Sequence, residues 1–308
     1  MRHVHDIRGA RTLQLLIAVL LVGASGASAQ PRAPQATPVP AAVPAAVTIA
    51  RPTAAEIQVA RDSFAKFLAS TDAATRSVLE KYPNLLEVRP PAPNTAILPG
   101  LAPQFQAKHQ ANREVAKQGD AEVLFMGDSI TDFWRNADGP FGGKPVLDKH
   151  FGHWKVANFG IAGDTTQGVL YRLQNGEGQG FSPRAIMLMI GTNNTLRNSA
   201  AEIAEGIGAI VLELQRDFPQ AKILLLGVFP RGRPNDPVRA TIADINRTIA
   251  KLHDGERVHY LDIGAQFLAA DGTIPADVMS DLLHPSPKGY EIWAQAVKEP
   301  LSQLMGSR

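Results

Sequence analysis

The chain contains no cysteine at all. That single absence excludes a disulfide framework, thiolate zinc sites, thiol catalysis and an acylated-cysteine anchor. Aromatic residues make up only 6% and charged residues 19% of the 308 positions. The most apolar run, Leu13 to Val22, is shorter than the roughly 20 residues that cross a bilayer. No repeat of solenoid period is present. An excess of one charge is missing as well, because the formal net charge of +2 resides in the first residues. Met1 to Ala29 has the layout of a secretory signal peptide: Arg2, Arg8 and Arg11, then the apolar run, then Ala27-Ser28-Ala29. Removing its three Arg and one Asp from 31 basic and 29 acidic residues leaves 28 of each. No basic patch is left for a nucleic acid. The expected location is periplasmic or extracellular, without a stable membrane anchor; a membrane-retained N-terminal helix is the competing reading.

With 44% hydrophobic residues the chain can build a packed core. Residues 30–53 are dominated by Pro and Ala and predict a semi-extended linker. Residues 54–118 predict a helical extension. Its first helix, Ala54 to Leu79, carries Ile57, Phe64, Phe67 and Leu68 on one face, which favours packing on the catalytic part of the chain. A second, polar helix runs from Pro103 to Lys117. From Gly119 to the C-terminus the pattern changes to strands alternating with helices. Ala121 to Met126, Trp154 to Phe159, Ala185 to Ile190, Ala221 to Val228 and Arg257 to Ile263 are apolar runs of strand length. The intervening helices include Ala200 to Phe218, one from Pro237 capped by Asp236, and one from Pro287 capped by Ser286. This alternation predicts an α/β fold, a mainly parallel five-stranded sheet between two helical layers, with ligands beyond the C-terminal strand ends.

At those strand ends stand the residues that could carry chemistry. Gly127-Asp128-Ser129-Ile130-Thr131 follows the first strand. Taken alone, Ser129 reads as readily as a helix cap as it does as a nucleophile, with Gly127 permitting a tight turn. Asp281-Leu282-Leu283-His284 sets a carboxylate three residues before an imidazole, close enough to fix its tautomer. Gly163, in the loop after the second strand, offers an unobstructed backbone N–H, and Asn193, after the third, a side-chain amide. Either loop alone is equally a turn. His150 and His153 lack the carboxylates of a metal site and read as solvated or structural. Thr131 stands where a G-x-S-x-G elbow would need glycine, and neither G-x-G-x-x-G nor a Walker loop follows the first strand.

Taken together, Ser129, Gly163, Asn193 and His284 resemble, in order, the four blocks of the SGNH (GDSL-type) hydrolases, with Asp281 in the acid position. Asn158 to Thr166, Val169 to Glu177, Ile190 to Asn194 and Leu226 to Gly232 look like the catalytic subunits of type I platelet-activating-factor acetylhydrolase and related secreted bacterial esterases. The resemblance covers Gly119 to about Met305. It implies a flavodoxin-like sandwich and a serine esterase with no metal or organic cofactor. In it Ser129, His284 and Asp281 form the triad, the Ser129 and Gly163 N–H groups and the Asn193 amide hold the oxyanion, and Asp128 is structural. Ile130, Thr192 and Leu283 adjoin these residues and are expected to wall a small acyl pocket. The mammalian subunits are intracellular whereas this chain carries an export signal, so the expected substrate is a short-chain, acetyl ester of a saccharide. A lysophospholipase or thioesterase is the rival of the same class, and a silent carbohydrate- or partner-binding module the rival from another. Oligomeric state is not legible.

Overall fold

Five short apolar runs become five strands, and they pair in the order β2-β1-β3-β4-β5. They are β1 (Val123–Gly127), β2 (Val156–Asn158), β3 (Ala185–Met189), β4 (Lys222–Leu226) and β5 (Val258–Leu261). Every pairing is parallel, so the sheet is wholly rather than mainly so. This computed structural model describes residues 39–306 apart from residue 86; the expected signal peptide and the start of the expected linker lie outside the described residues.

Alternate strand side chains serve two cores. Leu124, Met126, Ile186, Leu188, Ile223 and Leu225 point into one. There they meet α6 (Thr166–Arg172), α7 (Ala200–Asp217) and α8 (Pro237–Ile249). Val123, Phe125, Met187, Met189 and Leu224 point into the other, against α5 (Lys144–Phe151) and α9 (Pro287–Met305). The stripe expected on α7 is buried: Ile203, Ile207, Ile210 and Leu214 are at most 1% exposed. Each such side chain contributes about 1.5–3 kcal/mol. The second core is aromatic, with Trp134 between Tyr290 and Trp293 at centroid distances of 4.5 and 5.0 Å. Ser286 caps α9 as expected, its Oγ accepting from the Gly289 N–H at 3.2 Å. Asp236 does not cap α8; its carboxylate accepts instead from the Arg233 N–H at 2.6 Å.

The N-terminal part departs most from expectation. The helix expected over Ala54 to Leu79 is two, α1 (Ala54–Ser70) and α2 (Ala73–Leu79), because Asp72 accepts from the Thr75 N–H at 2.9 Å and restarts the chain as a new cap. Neither buries a residue, and Phe67 on the expected packing face is 51% exposed. The described part of the expected linker, by contrast, is packed. Val47 is buried, Ala41 and Val43 lie against the same core, and the Ala41 N–H donates to Ile97 O at 2.8 Å. The reason is Glu205, wholly buried on α7: it accepts from the Ile49 N–H at 2.7 Å, pairs with Arg51 at 2.6 Å and accepts from Asn94 Nδ2 at 2.8 Å. The polar helix near 103–117 is α3 (Gln106–Gln118), ended by Gly119 in the left-handed region at φ 77°.

Candidate active site

The strand order reverses direction between β1 and β3, which opens a crevice at their C-terminal ends. Ser129 begins α4 (Ser129–Asp132) directly after β1, at that crevice. The cap of this turn is not Ser129 but Asp128, whose Oδ1 accepts from the Ile130 N–H at 3.0 Å. The serine hydroxyl is thereby left for another partner. Gly127 does not serve a left-handed turn, since its φ is not positive. It is required by crowding: a Cβ would stand 2.3 Å from Met189 O and 2.2 Å from Thr131 Oγ1. Asp128 is wholly buried, and its Oδ2 has no hydrogen-bond partner among the described residues. Burial pushes its carboxyl up to about 7, with the Asp164 charge adding to the rise and the Ile130 N–H opposing it.

The partner of Ser129 comes from the far end of the chain. His284 Nε2 lies 2.9 Å from Ser129 Oγ, and His284 Nδ1 lies 2.6 Å from Asp281 Oδ2. The other Asp281 oxygen accepts from the backbone N–H groups of Leu283 at 3.0 Å and His284 at 2.8 Å. Partial burial raises the Asp281 carboxyl, but the His284 N–H, the His284 ring and the Leu283 N–H outweigh it and hold the group below its usual range. An ionised carboxylate only accepts, so Nδ1 carries the ring proton and Nε2 accepts from the Ser129 hydroxyl. The loop achieves this by placing Leu282 at φ 60°, a conformation that costs a branched residue about 1–2 kcal/mol. The Gly232 N–H, donating to Leu282 O at 2.9 Å, helps hold it there. The His284 ring also packs on Phe133 and Phe141, at centroid distances of 5.1 and 5.2 Å. Neither phenylalanine was expected from sequence, where nothing marks an aromatic as a rest for an imidazole.

Gly163 and Asn193 meet at one cleft of about 390 Å³ beyond β2 and β3. Gly163 has φ 86°, which disfavours any side chain, and a Cβ there would stand 3.4 Å from Phe105 Cζ. Its loop is tied down from two sides. Asn158 bridges the Thr131 carbonyl and the Gly160 N–H, both at 2.8 Å, and Asp132 accepts from the Ala162 N–H at 2.9 Å. Lys108 of α3 pairs with the same Asp132 at 2.6 Å. Asn193 Nδ2 donates to Asp164 O at 2.8 Å, which orients the amide and leaves its second hydrogen for a ligand. Behind this loop Arg172, wholly buried, joins Asp164 at 2.9 Å to Glu177, and His109 of α3 reaches Glu177 at 2.8 Å. Burial raises the Asp164 carboxyl, with the Glu177 charge adding and Arg172 opposing.

The expected acyl-pocket residues are not brought together as an open wall. Ile130 is 0% and Thr192 1% exposed. Ile130 sits in the aromatic core and gives its carbonyl to the Tyr290 hydroxyl at 2.8 Å, while Thr192 lies under Arg231 at 3.4 Å. Only Leu283 keeps partial exposure. His150 contacts Glu291 at 2.9 Å and His153 lies 4.4 Å from the Trp154 ring, so the two serve separate surface contacts. Among the described residues no group of three or more His, Cys, Asp or Glu could hold a metal ion. No helix among them is long and apolar enough to cross a membrane.

The sequence model of the GDSL-like Lipase/Acylhydrolase family matches residues 125–292, a span that contains Ser129, Gly163, Asn193, Asp281 and His284. The chain belongs to this family. As an acylhydrolase it is a carboxylic ester hydrolase. It is 36% identical over 219 residues to platelet-activating factor acetylhydrolase IB subunit alpha2 of Rattus norvegicus and of Homo sapiens, covering 69% of this chain and 92% of each relative. The alpha1 subunit of Rattus norvegicus is 35% identical over 191 residues, covering 62% and 79%. The 69% aligned with the alpha2 subunits is longer than the stretch Gly119 to Met305, so the likeness of this acylhydrolase extends ahead of β1. The fold is shared with a Streptococcus pneumonia structure described as a platelet activating factor, at 21% identity and TM-score 0.53 over 75% of this chain and 100% of that one. A Bacteroides fragilis structure described as an acylhydrolase shares it at 19% identity and TM-score 0.53, over 65% and 97%.

Proposed function

We propose that this acylhydrolase is an exported serine esterase that removes short acyl groups, acetyl above all, from saccharide esters. The observation that carries the catalytic part is the unbroken chain from Asp281 Oδ2 through His284 to Ser129 Oγ, with contacts of 2.6 and 2.9 Å. In this reading Ser129 Oγ attacks the acyl carbonyl while its proton passes to His284 Nε2. Asp281 stabilises the imidazolium through Nδ1–H. The Ser129 and Gly163 N–H groups and the second Asn193 amide hydrogen receive the oxyanion. The imidazolium then gives its proton to the departing alkoxide, leaving an acyl-serine. Water, deprotonated by His284, attacks that ester, and the proton returns to Ser129 as the acid departs. Asp128 holds the turn rather than taking part.

Two observations support a small acyl group. Ile130 and Thr192, two of the three side chains expected to line an acyl pocket, are buried, and the relatives are by name acetylhydrolases. Export is supported by the layout of Met1 to Ala29. The test is initial rates on p-nitrophenyl acetate, butyrate and octanoate, with Ser129→Ala alongside. Acetate is expected to be fastest, with no activity in the variant. A rate that rises toward octanoate would transfer the reading to a lysophospholipase, and one that survives Ser129→Ala would end the triad.

A further inference from the structure

The cleft at Gly163 and Asn193 is also lined by residues that are not part of the catalytic machinery. These are Gln104 and Phe105, ahead of α3, Gln167 of α6, and Leu196 and Arg197, after β3. We propose that this cleft is the binding site for the alcohol portion of the substrate and that it fits a polyhydroxylated, saccharide-like group. The inference rests on the esterase reading of the triad and adds the residues that select the leaving group.

Three features decide for a saccharide. First, the unengaged groups are polar. Gln104, Gln167 Nε2 and the Arg197 guanidinium make no side-chain hydrogen bond among the described residues. Gln167 Oε1, by contrast, is committed, accepting from Asn194 Nδ2 at 2.8 Å. Sugar hydroxyls both donate and accept, so they can satisfy amides and a guanidinium together, whereas an alkyl chain would strip these groups of water without replacing it. Second, Phe105 contributes the single aromatic ring of the lining, and Leu196 is 76% exposed. Together they give apolar contact for the C–H face of a ring but no apolar trough for a lipid tail. Third, the volume of about 390 Å³ is that of a small-molecule site, and neither Ile130 nor Thr192, the buried residues beside the acyl position, lines it. The lining is rigid where it needs to be: the Gly100 N–H donates to Gln167 O at 3.0 Å, tying the segment before α3 to the start of α6.

The double variant Gln104→Ala/Arg197→Ala tests the assignment, because neither side chain supports the oxyanion loop. Its kcat/KM on a mono-O-acetylated xylotriose is expected to fall about tenfold, mainly through KM, for two lost hydrogen bonds. Its kcat/KM on p-nitrophenyl acetate, which has no sugar, should stay within about twofold. Unacetylated xylotriose should inhibit p-nitrophenyl acetate hydrolysis by the parent protein and do so less in the variant. An equal fall on both esters would mean that the two residues hold the loop and would overturn the proposal, as would no fall on either. If the parent protein hydrolyses neither ester, the esterase reading fails by itself. Calorimetric titration with xylotriose then reads the cleft alone: binding abolished in the double variant keeps the site, and no binding by the parent protein removes it.

Discussion

Replacing Asp281 by asparagine separates what this carboxylate does for the loop from what it does for the imidazole. Oδ1 accepts two backbone N–H groups, at 2.8 and 3.0 Å, and Oδ2 accepts the ring Nδ1–H at 2.6 Å. An asparagine amide has one accepting and one donating end. The two backbone donors fix which end is which, because a flipped amide would set its NH2 against both of them. The NH2 therefore faces Nδ1, the ring must take the other tautomer, and Nε2 then carries a proton toward Ser129 instead of accepting one. A triad with the wrong tautomer loses about ten thousandfold in kcat. The backbone bonds survive, so the melting temperature should hardly move. Asp281→Ala loses those two bonds as well, about 1–2 kcal/mol, and should melt several degrees lower at a similar loss of rate. The assay is kcat on p-nitrophenyl acetate beside thermal unfolding of both variants. An asparagine variant within tenfold of the parent, or one that melts as low as the alanine variant, would refute the assignment of the two oxygens.

Three further perturbations address other parts of the molecule. Asn193→Ala removes one of the proposed oxyanion donors, and steady-state kinetics should show kcat lower by about two to three decades with KM little changed. In Asp128→Asn the group that titrates at about 7 is gone. Because burial raises that carboxyl in the folded state, its contribution is complete below about pH 4 and is lost as pH rises through about 7. Urea unfolding should therefore show the variant gaining on the parent protein by a few kcal/mol between pH 5 and pH 8, and a pH-independent difference would rule out the buried ionisation. Replacing residues 53–92 by a flexible linker of about eight residues should leave kcat/KM and the melting temperature nearly unchanged, since α1 and α2 bury nothing and Arg51 and Asn94 both dock on Glu205. Loss of soluble protein on that deletion would show that the helices support the catalytic part after all.

The sandwich was legible because its signals are local. Five apolar runs of strand length, each beginning and ending within a few residues of its strand, and a periodic α7 stripe leave little freedom for a parallel sheet. Ser129, Gly163, Asn193 and His284, the proposed site residues, could be grouped for a different reason: each follows a separate strand, so topology brings them to one edge however weak each motif is alone. What could not be read was anything decided by third parties. Whether Ser129 caps the turn depended on which oxygen reaches the Ile130 N–H, and Asp128 takes that bond. Ile130 and Thr192 are neighbours of site residues in sequence, but adjacent side chains leave the backbone in different directions, and both went inward. Phe133, Phe141 and the strained Leu282 have no sequence signature at all.

The N-terminal segments show the same limit in sharper form. Composition argued that a Pro- and Ala-rich stretch without aromatics could not offset its ordering entropy, and that an amphipathic helix over 54–79 would pack. Over the described residues the outcome was the reverse, and α7 explains why. At Gly208 the helix surface is so low that a Cβ would stand 2.6 Å from Val47 Cγ2, and beside it Glu205 is buried. A buried carboxylate left unpaired is costly. The Ile49 N–H, Arg51 and Asn94 all meet that need, so the docking of 39–51 is set by a charge on another element rather than by its own hydrophobicity. Among the described residues no buried charge draws α1 in, and it buries no residue. Periodicity reports that a helix has an apolar side; whether anything faces it depends on residues some 150 positions away, as with Ile49 and Glu205, 156 apart.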